Sequence, residues 1–324
     1  MVQKIDISRK TILFIAALIL VVLIIYLIRD LLIILFVATI LMSALSPLVN
    51  FFVKIKIPKA LSIAVTYIII IAIIASVLTL ILQPLVEETT HLIVTLPSVA
   101  SQFFNIADID KSLFQQELSA FSKNIFSITL TVFDNLLTLI FLLVLTFYLL
   151  LERENLEARI ASLFIGKEER VKKSIVAIEE KLGSWLRGQL FLSVIIGLLV
   201  YLGLLGLRIP YALPLALVAG VLEVVPVIGP IVSAIPAIFI ALTISPVLAL
   251  GVAAMFFVIQ QMENHLIVPQ VMKRAVGLNP LVVILAIAVG SRLLGFAGAL
   301  LAVPLAVVLQ IIATEAIRGR KIGA

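Results

Sequence analysis

Apolar residues in this chain come in long unbroken runs separated by short charged segments. A helix needs about 20 apolar residues to cross about 30 Å of hydrocarbon, and five runs meet that length: Thr11–Ile28, Leu31–Val53, Ala60–Val86, Ile125–Leu151 and Gly188–Leu207. Arg29-Asp30 is read as a tight corner, so the first two runs are expected to form a helical hairpin. A signal peptide is the competing reading of the first run, but it is long for that and no small-residue cleavage site follows. Glu87 to Lys123 is polar and mildly amphipathic. In the charged block from Glu152 to Arg187, Ile175, Ile178, Leu182 and Trp185 recur at helical steps, which predicts a helix with an apolar stripe lying on the membrane surface or against another subunit.

Beyond Arg208 the pattern changes. Residues 210–244 and 279–313 are long apolar tracts, interrupted by Pro226, Gly229 and Pro230 in the first and by Gly290, Gly295 and Gly298 in the second. As one straight helix each would be about 50 Å long, well beyond a bilayer, and each half alone is too short to cross it. A tilted, kinked helix and a re-entrant hairpin are the two solutions. The tracts also match each other: Pro214-Leu215 with Pro280-Leu281 and Gly229 with Gly295, both at an offset of 66 residues. Between them runs Val247–Val268, which brings the total to about eight hydrophobic segments and an all-α, polytopic membrane fold.

Composition removes the soluble alternatives. Hydrophobic residues are 63% of the 324 and charged ones 13%, so too little polar surface exists to coat a particle of this size in water. Zero Cys excludes thiol chemistry and Cys-ligated metal, and His91 and His265 have no metal-ligand spacing. Neither metal nor other cofactor is expected. The net charge of +6 sits in loops, where topology and anionic lipid explain it better than nucleic acid does.

Lys/Arg placement then gives an orientation. The N-terminus, the Lys54–Lys59 loop and the 152–187 block with its eight Lys/Arg are expected to be cytoplasmic, and the acidic 87–124 segment external. Lys273-Arg274 becomes cytoplasmic only if 210–244 enters and leaves by the outer face, which favours two opposed hairpins with both termini inside. Three regions follow: a four-span part over 1–151, a cytoplasmic amphipathic arm over 152–187 and a transport region over 188–324.

Broken helices expose main-chain N–H and C=O groups at membrane depth, tolerable where they line a cavity or bind something. Glu223 and Arg292 are the lone charges of their tracts, opposite in sign, and intramembrane charges are costly and usually functional. The two breaks are therefore expected to meet, with Glu223 and Arg292 binding substrate or ion. Gln260, Gln261, Glu263 and Asn264, beside His265, are the densest polar cluster next to an apolar run and join them as binding candidates. Gln189 and Asp134 read more simply as a polar helix end and an interfacial acid. No phosphate-binding loop and no nucleophile–base set are present, so the chain is not read as an enzyme, and a gradient would drive any work.

Arg187-Gly188-Gln189, Leu222-Glu223 with Pro226 and Gly229-Pro230, Gln260-Gln261-Met262-Glu263-Asn264 with Pro269, Gly277-Leu278-Asn279-Pro280 and Val303-Pro304-Leu305 together resemble the autoinducer-2 exporter family of membrane permeases. The resemblance covers roughly residues 10–315 and is specific in the second half. It implies a multi-pass inner-membrane protein, a homo-oligomer, that exports a small polar molecule such as autoinducer-2. Sodium(lithium)/proton antiport is the alternative it carries, and a membrane scaffold without transport is the reading outside it.

Overall fold

The computed structural model describes residues 9–104, 136–225, 228–275 and 277–321, and these are almost entirely helical. The helices are α1 (Arg9–Leu27), α2 (Arg29–Lys54), α3 (Lys59–Phe104), α4 (Leu136–Ser162), α5 (Glu168–Gly206), α6 (Ala212–Leu222), α7 (Ile228–Ile244), α8 (Pro246–Met262), a π-helical turn (Glu263–Ile267), α9 (Val268–Ala275) and α10 (Pro280–Lys321). Seven of the described helices are long and apolar enough to cross a bilayer. Their outward faces carry Leu, Ile, Val and Phe at high exposure, which water would not tolerate and lipid does.

The expected corner at Arg29-Asp30 is not a hairpin. Ile28 N–H donates to the Ile24 carbonyl and Leu32 N–H to the Ile28 carbonyl, both at 3.0 Å, so helical hydrogen bonding runs through the junction. Neither Arg nor Asp obliges a helix to stop as Pro does, and the charged pair simply points outward at 3.6 Å from each other. None of the Lys10–Leu27 span is buried. In α3 the helix continues 18 residues past Val86 to Phe104; the remainder of the amphipathic segment and Asp134 lie outside the described residues.

The long helix α5 is the axis of the molecule, packing on α2, α4, α6, α8, α9 and α10. Its lower half carries the predicted stripe, but Leu182 and Trp185 are buried inside the same chain, against Ile40 of α2 and Val303 and Val307 of α10. Gly183 lets the two backbones touch there, because a β-carbon on it would overlap the Ser43 carbonyl. The upper half packs Ile196, Val200 and Leu204 into a core with α6, α7 and α8. Residues 168–187 and the fifth apolar run are thus one continuous helix.

Both Gly/Pro-interrupted tracts are helical hairpins. In the first, a β-carbon on Gly229 would overlap the Leu222 carbonyl, and α6 and α7 pack side by side. In the second, Leu294 and Gly295 leave helical geometry (Gly295 φ 59°), and Gly290 and Gly298 come into backbone contact. Eight residues of straight helix would hold those glycines about 12 Å apart. Glycine is needed at 295 for its positive φ and at 290 and 298 for the close approach.

The hairpins enter from opposite ends. Between them Ser245 caps α8, its hydroxyl accepting from Val247 N–H at 3.2 Å with Pro246 at the first helical position, so the chain reverses sharply after α7. After α8 and α9 the chain arrives beside Lys181: Gly277, Lys181, Gln310 and Glu315 line one open cavity of about 330 Å³. That end also holds the ion pairs Arg153–Glu179 at 2.7 Å and Arg170–Glu315 at 2.8 Å, and Lys59 Nζ on the Leu151 carbonyl at 3.0 Å. The 54–59 loop, the 152–187 block, the 277 turn and the end of α10 therefore gather on one side.

Candidate functional site: a buried carboxyl pair at the first hairpin

Glu223 stands where α6 stops and its side chain is sealed in, with 1% exposure. Its N–H donates to the Ala219 carbonyl at 3.0 Å, as in an ordinary helical turn. Its own carbonyl takes a hydrogen bond from a different helix, Gln189 Nε2 of α5 donating to it at 2.7 Å. Gln189 is itself 1% exposed. The residue that reads as an ordinary polar helix end is in fact a side-chain cap on the break.

Glu263, 3% exposed, arrives from the other side, on the π turn that follows α8. Its carboxyl faces that of Glu223 at hydrogen-bonding range. Ionised carboxylates only accept hydrogen bonds, and Glu223 Oε2 accordingly has no donor among the described residues. Two such groups side by side, out of water, need a proton or a cation between them. Gln260, three residues earlier, donates its Nε2 to Glu263 Oε2 at 3.3 Å.

Among the described residues one further enclosed polar atom lacks a partner, the hydroxyl of Ser193. It lies one turn beyond Gln189 on α5 and opposite Gly220 of α6, whose β-carbon, were there one, would stand 2.9 Å from the Ser193 carbonyl. Other buried hydroxyls here bond back to their own helix, as Ser46 does to the Met42 carbonyl and Thr66 to the Ser62 carbonyl, both at 2.8 Å. Ser193 was not singled out from sequence. A Gln and a Ser four apart in an otherwise apolar run is the signal that marks both.

The predicted residues divide. Glu223, Glu263 and Gln260 come together, whereas Gln261 and Asn264 are exposed on the opposite side of the helix, Gln261 through its carbonyl 3.0 Å from His265 Nδ1. Arg292 is exposed near the tip of the second hairpin. That hairpin packs chiefly on α5 and shares no extensive contact with α6 or α7, so among the described residues the breaks do not meet and Arg292 is not paired with Glu223. Gly229 and Pro230 are buried at the start of α7, and Pro226 lies outside the described residues. Asn279, prominent in the sequence motif, caps α10, its Oδ1 accepting from Leu281 N–H at 2.9 Å. The described residues contain no cluster of three or more His, Asp or Glu fit to hold a metal.

Comparison with known proteins places the sequence among membrane transport proteins. The AI-2 transport protein TqsA of Escherichia coli (strain K12) is 27% identical over 296 residues, covering 86% of this chain and 84% of TqsA. YrrI of Bacillus subtilis (strain 168) is 36% identical over 143 residues, 44% of this chain and 40% of YrrI. A sodium-lithium/proton antiporter of Halobacillus andaensis is 25% identical over 204 residues, 63% of this chain and 57% of the antiporter. The family described as AI-2E family transporter matches residues 13–318, nearly the full length. This chain is therefore a multi-pass membrane protein of the AI-2E transporter family.

Proposed function

We propose that the chain is a secondary transporter that exports a small polar solute such as autoinducer-2, with the Glu223–Glu263 pair handling the ion whose gradient drives it. The observation that carries this reading is the pair itself: two sealed carboxyls at a helix break, whose charge state must change for anything to bind or leave. Gln189 and Gln260 hold the pair in register from α5 and α8. Arg292, Gln261 and Asn264, being exposed, would contact solute only as it enters or leaves. In this reading the protein sits in the inner membrane as a homo-oligomer, with both termini and the Arg170–Glu315 end cytoplasmic, in keeping with the Lys/Arg distribution.

Exchange of Na⁺ or Li⁺ for a proton is a second reading, favoured by the same carboxyl pair and by the name of the Halobacillus andaensis relative. One experiment separates the two. Proteoliposomes loaded with a pH dye are given Na⁺ or Li⁺, and in parallel are loaded with autoinducer-2 and followed for efflux. Efflux lost in Glu223→Gln supports the exporter; cation-evoked dye response lost in the same variant supports the antiporter. Wild-type rates of both in Glu223→Gln would remove the pair from transport altogether.

A further inference from the structure

We propose that Ser193 completes, with Glu223 and Glu263, a dry site for one small monovalent cation. The inference rests on the reading of the carboxyl pair as the ion-handling site, and adds to it a third ligand from another helix.

Two enclosed oxygens in this one region, Ser193 Oγ and Glu223 Oε2, have no hydrogen-bond donor among the described residues. A buried polar atom left unsatisfied costs free energy comparable to a lost hydrogen bond, and a single ion reached by both oxygens would remove that cost. Helix α5 holds Ser193 toward α6: Gln189, one turn earlier on the same face, bonds the Glu223 carbonyl, and Gly220, three residues before Glu223, abuts the Ser193 main chain. Gln260 donates to Glu263 Oε2 and leaves the other carboxylate oxygen untouched by it.

The donors are all oxygen, which suits a hard cation. Their number decides its charge. Two carboxyls and one hydroxyl offer at most five oxygens, one already bonded to Gln260, whereas Ca²⁺ takes six to eight and Mg²⁺ an octahedron, usually with several waters. A single proton between the carboxyls carries one positive charge, and one Na⁺ or Li⁺ in its place leaves the charge of the sealed site unchanged. A divalent ion would not. The hydroxyl supplies what a proton does not need and a metal ion does, a third oxygen off the line joining the carboxyls.

The test uses the full-length protein in lipid nanodiscs, titrated with NaCl or LiCl against choline chloride at constant ionic strength, with thermal unfolding and radioactive sodium binding as readouts. Wild type is expected to bind and be stabilised by Na⁺ or Li⁺. Because Thr and Val share a shape and differ by a hydroxyl, Ser193→Thr should retain the half-saturating concentration and Ser193→Val should raise it about tenfold. Equal affinity in the Thr and Val variants would overturn Ser193 as a ligand while leaving the carboxyl pair standing, provided Glu223→Gln abolishes binding. Absence of any Na⁺ or Li⁺ effect on the wild type would overturn the cation site, and autoinducer-2 efflux from Glu223→Gln proteoliposomes then reports separately on the pair.

Discussion

Gly290 and Gly298 lie backbone to backbone across the second hairpin, so close that a β-carbon on either would overlap the carbonyl oxygen of the other. The fold of α10 depends on both being bare. Gly298→Ala should lower stability by about 1–3 kcal/mol, the usual cost of overpacking. Gly206→Ala, at a helix end with nothing within 4 Å, should be neutral or slightly stabilising. Thermal unfolding of the two variants in the same detergent checks the contrast.

Gln189→Leu keeps the volume and removes the donor to the Glu223 carbonyl. Leaving that buried acceptor unpaired should cost about 1–3 kcal/mol, and transport should fall with it. If Gln189→Leu unfolded at the wild-type temperature, the carbonyl would have to find another donor.

Glu263→Gln replaces one carboxylate by a group that can donate to Glu223 Oε2 without a proton or cation. The variant should fold as stably as the wild type or more so, while its transport rate drops at least about tenfold. Unfolding midpoints and proteoliposome flux measured on one preparation separate the two effects.

Arg170 and Glu315 tie the start of α5 to the end of α10 through a 2.8 Å ion pair and a second hydrogen bond from the guanidinium to the Glu315 carbonyl. Both side chains are about a third exposed, so water screens the pair. A double-mutant cycle should give a coupling of about 1 kcal/mol or less, shrinking in high salt.

The opposed hairpins place residues 244 and 273 at opposite ends of the molecule. Since the chain has no Cys, Ile244→Cys and Lys273→Cys can be labelled singly with a membrane-impermeant reagent on intact cells. Residue 244 should react from outside and 273 only after permeabilisation. Reactivity of 273 on intact cells would reverse or discard the proposed orientation.

Much of this fold is written in local chemistry and therefore legible. Gly295 breaks a helix because only glycine takes its φ readily, and Ser245-Pro246 starts one by capping. Legibility fails where the deciding contact is distant. Glu223 and Glu263 are 40 residues apart, and nothing local to Glu223 announces that its partner is a second acid rather than Arg292. The polar 260–264 run shows which residues are available but not which side of the helix turns inward; packing on α5 and α7 chooses Gln260 and Glu263 over Gln261 and Asn264. The corner at Arg29-Asp30 misleads for the opposite reason, since charge there signals an interface without interrupting the hydrogen bonds. Gln189 looked incidental because its acceptor exists only once the first hairpin has formed.

The wide turn at Glu263–Ile267 carries a surplus residue compared with an ordinary helical turn. Everything downstream is consequently rotated by about one residue's worth of arc, roughly 100°, relative to a ladder that had run straight through. Shortening the segment by a single amino acid between His265 and Ile267 would unwind that phase difference, swinging α9 and the whole second hairpin about the axis of α8 while leaving Glu263 itself in place.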